Sequence, residues 1–341
     1  MPTCRFIGRR CGTVVASGGG LLPVMVCHHP SHQTTTDAHC VACADRDETT
    51  QPIALREKRP VEPTFWLPDG NDNRPVDLQG LYRGGTAFLV LGGPSLQIMP
   101  LDRLAARGVL IASYNNNPAA LPPPIRPHIW LHNDKPCKMH DSLWRDPSIL
   151  KFSPVREWRG GDSKGKYKNV RTRDRDGFHP YARKAVDLPG VIGFTRTSHF
   201  DPDRWLSEPS LNNGNCKRSA ARNGWPHIIN TMFQSLKLLW LLGFDRVYLI
   251  GADFRMDPDR PYAFAEHKSE GGVRANNEGF RKMDTMLAAL APRLVEGGMS
   301  VYNATPGSGL RAFPTIGFIE AVTMVTENYD QRIDARGWYC D

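Results

Sequence analysis

The residues whose types and spacing are best suited to chemistry are Asp253 and His267. The apolar run 247–250 predicts a buried parallel strand, and Asp253 follows it directly after a glycine turn. Ligands bind outside the carboxyl ends of the strands in open α/β sheets. A histidine one loop later is a candidate general base near neutral pH. We therefore predict catalytic roles for both residues, with a capped turn and a surface histidine as the alternative.

An upstream turn has the composition of a phosphate-binding loop. Gly92, Gly93 and Ser95 follow the apolar run 87–91 and precede a short helix predicted over 101–106. Glycines let the backbone approach an anion, and the amides at a helix start point toward it. The turn is neither a Walker loop nor a GxGxxG fingerprint, so a simple strand-to-helix turn remains an alternative.

Polar residues also follow the next two predicted strands. The strand over 109–113 runs into Tyr-Asn-Asn-Asn at 114–117, and the strand over 128–131 runs into His-Asn-Asp at 132–134. Because the carboxyl ends of parallel strands lie at one edge of a sheet, three consecutive strands deliver polar groups to the same edge.

The remaining periodicity predicts a doubly wound, Rossmann-like α/β domain with a mostly parallel sheet. Helices are predicted over 225–244 and 277–297, and a last strand over 300–303. The predicted organisation is a disordered leader over 1–24, a zinc-knuckle-like segment over 25–46, a linker over 47–84, the α/β domain over 85–325 with a basic insertion at 151–186, and a tail over 326–341.

Five motifs follow one another within roughly residues 85–320: the Gly-Gly-Pro-Ser-Leu turn, the Asn-rich strand end, 242–254, His267-Lys268-Ser269 and 301–310. In this order they resemble motifs of the bacterial sialyltransferases that use CMP-sialic acid, and of the related 6-hydroxymethylpterin diphosphokinase-like proteins. The resemblance implies that His267 is the base. The residues that it implies for donor binding are Gly92, Gly93, Ser95, Asn115, Asn116, Asn303, Thr305 and Ser308. Residues 135–225 match neither family, so no acceptor residue is implied.

The cysteine spacing near the N-terminus predicts a structural zinc site. Four ligands of the types that a closed tetrahedral site needs are Cys27, His29, Cys40 and Cys43. Neighbouring histidines at 28, 32 and 39 are alternative fourth ligands, and a disulfide or free thiols remain alternatives to zinc. Four protein ligands leave no open position, so this zinc would not be catalytic.

A basic segment with interleaved aromatic residues predicts binding to a polyanion. Residues 151–184 hold eleven Lys and Arg against four Asp and Glu. Lys and Arg neutralise phosphates, and aromatic rings stack on bases. The central cations are Lys164, Lys166, Lys168 and Arg171. A solvated loop with internal ion pairs is the alternative.

Two Asp-Pro-Asp strings, at 201–203 and 257–259, have the carboxylate spacing of metal sites in many sugar transferases. The proline after each first aspartate equally suits a helix-start turn. The resembling sialyltransferases need no metal, so we expect no divalent-metal requirement.

These observations predict a glycosyltransferase that uses a nucleotide sugar, with 5-hydroxymethylpyrimidine in DNA as acceptor, as in virus-encoded base modification. The alternatives are a glycan sialyltransferase-like enzyme, a non-catalytic nucleic-acid-binding protein, and pyrophosphate transfer to a small alcohol. The last would need magnesium held by Asp134, Asp253 or Asp257. No apolar run reaches about 18 residues, so we expect no membrane partner and a cytoplasmic location, in a host cell if the protein is viral.

Overall fold

A computed structural model describes residues 11–15, 21–25, 62–134, 136–158, 185–188, 190–196, 200–212, 230–266 and 268–327. The strands are β1 (Cys11–Val15), β2 (Leu21–Met25), β3 (Phe65–Asp69), β4 (Asp72–Val76), β5 (Gly85–Val90), β6 (Leu110–Tyr114), β7 (Ile129–Leu131), β8 (Leu150–Pro154), β9 (Val191–Phe194), β10 (Phe244–Ile250) and β11 (Ser300–Asn303). The α-helices are α1 (Asp141–Arg145), α2 (Val155–Trp158), α3 (Thr231–Leu242), α4 (Glu270–Glu296) and α5 (Phe318–Glu327).

The protein has an α/β fold built on a nine-stranded, mostly parallel sheet. The strand order is β11-β10-β5-β6-β7-β8-β9-β3-β4, and β1 and β2 form a separate antiparallel pair. The seven strands from β11 to β9 are parallel to their neighbours, whereas β3 and β4 are antiparallel at the edge. The chain builds outward from β5 to β9 and then returns to place β10 on the other side of β5. The strand order therefore reverses between β5 and β10.

Side chains of β5 alternate between two hydrophobic layers. Ala87 and Leu89 pack in the layer that contains α3 and α4. Phe88 and Val90 face the opposite layer, where the ring centroid of Phe88 lies 6.1 Å from that of Phe318 in α5. Because both faces are covered, the strand is apolar and buried from Ala87 to Val90, as parallel strands generally are.

Two helices begin at residues other than those predicted from the sequence. Asn230 is the N-cap of α3, since its side chain accepts a hydrogen bond from the Met232 amide at 2.8 Å, so α3 starts at 231 and not at 225. Ser269 is the N-cap of α4, which therefore starts at Glu270, seven residues before the predicted start at 277. The sequence did not indicate this start because the first turn of α4 contains two glycines, and glycine is unfavourable inside helices.

Residues expected to form a linker contribute strands to the sheet from Phe65 onward. β3 pairs with β9 through Phe65 and Trp66. The Trp66 indole also donates a hydrogen bond to the Thr195 hydroxyl at 3.0 Å. The sheet therefore extends beyond the predicted domain boundary at residue 85.

None of the helices in the described ranges combines the length and the apolar character needed to cross a membrane.

Candidate functional site

The site is built at the carboxyl ends of β5 and β10, where the strand order reverses. Pairing between the two strands continues into the turns that follow them: the Leu91 amide donates to the Ile250 carbonyl, and the Gly93 amide to the Gly251 carbonyl, both at 2.9 Å. A crevice at such a reversal is the usual ligand site of open α/β sheets. The two glycine turns predicted from the sequence therefore meet.

Asp253 joins the two turns with its carboxylate. The Ser95 amide donates to Asp253 Oδ1 at 3.2 Å, and the Ser95 hydroxyl donates to Asp253 Oδ2 at 2.7 Å. Burial raises the pKa of Asp253, and the two bonds from Ser95 act in the opposite direction. Because this carboxylate occupies the donors of Ser95, the predicted Ser95 contact to a ligand requires Asp253 to share or release them.

The backbone directly after Asp253 is strained. Phe254 has a φ of 53°, in the left-handed region that a bulky side chain rarely adopts. Its ring stacks on that of Phe280 in α4, with centroids 5.3 Å apart. Asn277 fixes the next turn by accepting from the Met256 amide and donating to the Met256 carbonyl. Packing against α4 thus holds a conformation of a kind often found at functional sites.

The turn after β11 reaches the same edge, but its predicted donor-binding side chains bond within the protein. The Thr305 hydroxyl accepts from the Ala252 amide at 2.9 Å, and the Ser308 hydroxyl donates to the Ala252 carbonyl. The Asn303 side chain accepts from the Thr305 amide at 3.1 Å and is only 1% exposed. These side chains therefore fix the backbone at the edge of the sheet, because Thr305 and Ser308 both form hydrogen bonds with the Ala252 backbone.

Arg255 is a site residue that the sequence analysis missed. It is exposed, and one of its terminal nitrogens lies 3.9 Å from the position that a Cβ on Gly307 would take. Its charge also favours the ionised form of Asp253, because it lowers the pKa of that carboxyl against the effect of burial. The sequence feature that could have identified Arg255 is its position two residues after Asp253, in the turn that follows β10. Arg255 supplies positive charge beside the β10 and β11 turns.

The asparagines after β6 lie at the same edge, one strand further along. Asn115, with φ 50°, donates to the Thr231 hydroxyl at 3.2 Å. The Asn116 side chain accepts from the His140 amide at 3.1 Å and donates to the Lys138 carbonyl at 2.9 Å. The structure thus brings both to the predicted edge and gives each a partner within the protein.

An aromatic segment, residues 257–266, borders the crevice. Its Ala263 amide donates to the Gly92 carbonyl at 3.0 Å, and the rings of Tyr262 and Phe264 stack with centroids 5.2 Å apart. With Gln97 it lines a surface pocket of about 380 Å³. Lys268 Nζ lies 5.5 Å from the Tyr262 ring centroid. Apolar rings and a cation therefore lie beside the Gly92 turn.

Both Asp-Pro-Asp strings form capped turns. Asp201 accepts from the Asp203 amide at 3.0 Å at the start of a short 3-10 helix, Pro202–Arg204. Asp257 accepts from the Asp259 amide at 2.8 Å. Across the described ranges, no three His, Cys, Asp or Glu side chains are grouped to hold a metal.

Several predicted residues lie outside the described residues. They are His267, the four zinc ligands Cys27, His29, Cys40 and Cys43, and the central cations Lys164, Lys166, Lys168 and Arg171.

Lys151, one of the eleven cations of the basic segment, does not lie on a surface that could bind a polyanion. It belongs to β8, is fully buried, and donates to the Ile149 carbonyl at 3.0 Å. Burial lowers the pKa of its ammonium group to about 7. The Lys151 side chain is therefore part of the buried core of the sheet and bonds to backbone carbonyl groups there.

Comparison of the chain with protein-family models, with curated proteins and with solved structures finds no match.

Proposed function

We propose that the chain is a glycosyltransferase that binds a nucleotide sugar in the crevice between β5 and β10, within a doubly wound, Rossmann-like domain. The observation that carries the proposal is the meeting of the Gly92-Gly93 turn with the Gly251-Asp253 turn where the strand order reverses. Arg255 adds a cation at that edge for the donor's phosphates. The neighbouring aromatic segment adds apolar surface for the rest of the donor.

Within this proposal Asp253 positions the donor site and does not act as the base. Both of its oxygens accept hydrogen bonds from Ser95, so the carboxylate holds the two glycine turns together. His267 takes the proton of the acceptor hydroxyl. The acceptor oxygen bonds to the anomeric carbon while the bond from that carbon to the phosphate oxygen breaks. Arg255 stabilises the negative charge that develops on the leaving phosphate.

The acceptor that we propose is 5-hydroxymethylpyrimidine in DNA. Its support is the charge of the segment around Lys164 to Arg171, which suits a phosphodiester backbone. Alanine at Lys164, Lys166, Lys168 and Arg171 should lower DNA affinity and reduce the dependence of that affinity on salt. Unmodified cytosine DNA should not be a substrate, because it lacks the nucleophilic hydroxyl.

Isothermal titration calorimetry with UDP-, GDP- and CMP-linked sugars and with ATP, each with and without EDTA, tests the donor assignment. We expect one class of nucleotide sugar to bind in both conditions. Arg255→Ala should raise the Kd of that nucleotide sugar about 10- to 150-fold, since a hydrogen bond to a charged group contributes about 1.5–3 kcal/mol. Arg103→Ala is the matched control, because Arg103 is an exposed arginine beside Asp102 on the surface. Binding of ATP alone, and only with magnesium, would contradict the proposal and favour pyrophosphate transfer.

A further inference from the structure

The turn that follows β11, residues 304–309 (the β11 turn), has unused hydrogen-bond donors at the carboxyl edge of the sheet. Among the described residues, no hydrogen bond engages the backbone amides of Gly307 and Ser308. The next amide, that of Gly309, donates to the Asp253 carbonyl at 2.8 Å and so ties the turn to the end of β10. Two backbone donors are therefore left at this edge for a ligand.

The conformation of the β11 turn suits an anion. The ring of Pro306 fixes its φ at about −65°, and Gly307 has a φ of 62°, in the left-handed region. A right-handed residue followed by a left-handed one forms a nest, a concave arrangement of successive backbone N–H groups that binds anions. The Ser308 side chain holds the turn in place, because its hydroxyl donates to the Ala252 carbonyl and accepts from the Leu310 amide at 3.0 Å.

The space beside Gly307 is open except for the guanidinium group of Arg255. Apart from its chain neighbours, a Cβ on Gly307 would have one atom within 4 Å, Nη2 of Arg255 at 3.9 Å. Gly307 is exposed and has no side chain, so an anion can approach its amide closely. An anion held there by the Gly307 amide is therefore also within reach of Arg255.

Arg255 supplies positive charge at this place, because it forms no ion pair with any described residue. Burial raises the pKa of Asp253, and the charge of Arg255 opposes this effect. Both oxygens of the Asp253 carboxylate nevertheless accept hydrogen bonds from Ser95 and not from Arg255. A guanidinium group with free donors, next to two backbone amides, suits a phosphate group.

The Gly92-Gly93 turn offers fewer donors to an anion than the β11 turn does. The Gly93 and Ser95 amides both donate within the protein, at 2.9 and 3.2 Å. The rings of Tyr262 and Phe264 lie 3.3 and 3.2 Å from the position that a Cβ on Gly92 would take. An anion at this edge of the sheet therefore meets unused amides on the β11 turn.

We infer that the backbone amides of Gly307 and Ser308 and the guanidinium group of Arg255 form an anion site that binds one phosphate group. The contacts are made by the backbone of the turn, and not by the Thr305 and Ser308 side chains predicted from the sequence. The phosphate belongs to the nucleotide sugar or to the DNA strand, and its chemistry in the nest is the same in both cases. Its assignment to the nucleotide sugar rests on the proposed function.

Two substitutions at Gly307 test the site by calorimetry of the full-length protein, with UDP-, GDP- and CMP-linked sugars and with a single-stranded oligonucleotide that contains one 5-hydroxymethylcytosine. Asn and Asp both tolerate a left-handed φ, so Gly307→Asn and Gly307→Asp should fold alike. Gly307→Asp places a carboxylate beside Arg255 and repels the phosphate, so its affinity should be about tenfold or more below that of Gly307→Asn.

Gly70→Asp is the matched control for the added charge. Gly70 has a φ of 54°, nothing lies within 4 Å of its Cβ position, and it lies between β3 and β4 at the opposite edge of the sheet. Gly70→Asp should therefore leave the affinity for both ligands unchanged. Arg255→Ala should weaken binding of the same ligand that responds to Gly307→Asp, because both groups contact one phosphate.

The two ligands identify the source of the phosphate. A loss for the nucleotide sugar alone identifies the donor, a loss for the oligonucleotide alone identifies the DNA strand, and a loss for both shows that the two share the site. The inference is overturned if folded Gly307→Asp and Gly307→Asn bind both ligands equally well, if Arg255→Ala has no effect, or if the wild type binds neither ligand. A wild type that binds the oligonucleotide through this site but no nucleotide sugar contradicts the proposed function and leaves the anion site standing.

Discussion

Replacing Gly93 by alanine should separate the two turns that form the crevice. Gly93 has φ −69° and ψ 150°, which any residue adopts, so the cost of the substitution is steric. A Cβ there would lie 1.9 Å from Asp253 Oδ2 and 2.5 Å from the Gly251 carbonyl oxygen, against 3.4 Å or more in ordinary contact. The carboxylate must therefore move by more than an ångström, at the expense of its bonds to Ser95.

We expect Gly93→Ala to lower the free energy of unfolding by about 2.5–6 kcal/mol, through overpacking and the loss of one of the two hydrogen bonds from Ser95 to Asp253. Overpacking contributes about 1–3 kcal/mol. Loss of hydrogen bonds to a buried charged group contributes about 1.5–3 kcal/mol for each bond. The nucleotide-sugar affinity should fall as well, because the crevice loses its shape.

Urea denaturation followed by tryptophan fluorescence measures the stability change. Gly279→Ala is the matched control: Gly279 lies in α4 with nothing within 4 Å of its Cβ position, so alanine should stabilise the protein by about 0.5–1 kcal/mol. Adding Asp253→Ala to Gly93→Ala should cost less than the sum of the two single effects, because it removes the nearest clash. A Gly93→Ala protein with wild-type stability would refute the proposed contact between the turns.

Three further predictions concern other parts of the chain. His267→Ala should slow transfer by about 10²–10⁴-fold and leave donor affinity unchanged; wild-type turnover would move the base elsewhere. Elemental analysis should find one zinc per chain, and its absence, or a mapped disulfide, would exclude the site formed by Cys27, His29, Cys40 and Cys43. Burial lowers the pKa of Lys237 to about 7, so the unfolded state binds more protons above that pH and wild-type stability should rise from about pH 7 toward 10. Lys237→Met should reduce this rise without abolishing it, because the pKa of buried Lys151 is also lowered to about 7. An unchanged pH profile would contradict the lowered pKa of Lys237.

The strands around the crevice could be predicted because each is a short apolar run that ends in glycine or asparagine. The strand expected over 300–303 has those bounds in the structure, and the strand expected over 247–250 is the second half of β10. Their common edge followed from the rule that parallel strands present their carboxyl ends together. The location of both glycine turns at one edge of the sheet was therefore predictable from the sequence, whereas their direct contact was not.

Strands with charged residues or prolines could not be recognised in this way. β8 contains the buried Lys151 and ends at Pro154, and β4 contains Asp72, Arg74 and Pro75. Their place in the sheet depends on neighbouring strands, which local composition does not reveal. The pairing of Ser95 with Asp253 joins residues 158 positions apart, so it emerged only with the fold.

A crystal structure of the full-length protein with a bound, non-hydrolysable nucleotide sugar tests the central claim most directly. We predict that the donor phosphates lie at the carboxyl ends of β5 and β10, within hydrogen-bonding distance of Arg255 and beside the Gly92-Gly93 turn. A nucleotide sugar bound elsewhere on the protein, with the Gly93 and Asp253 turns untouched, would contradict it.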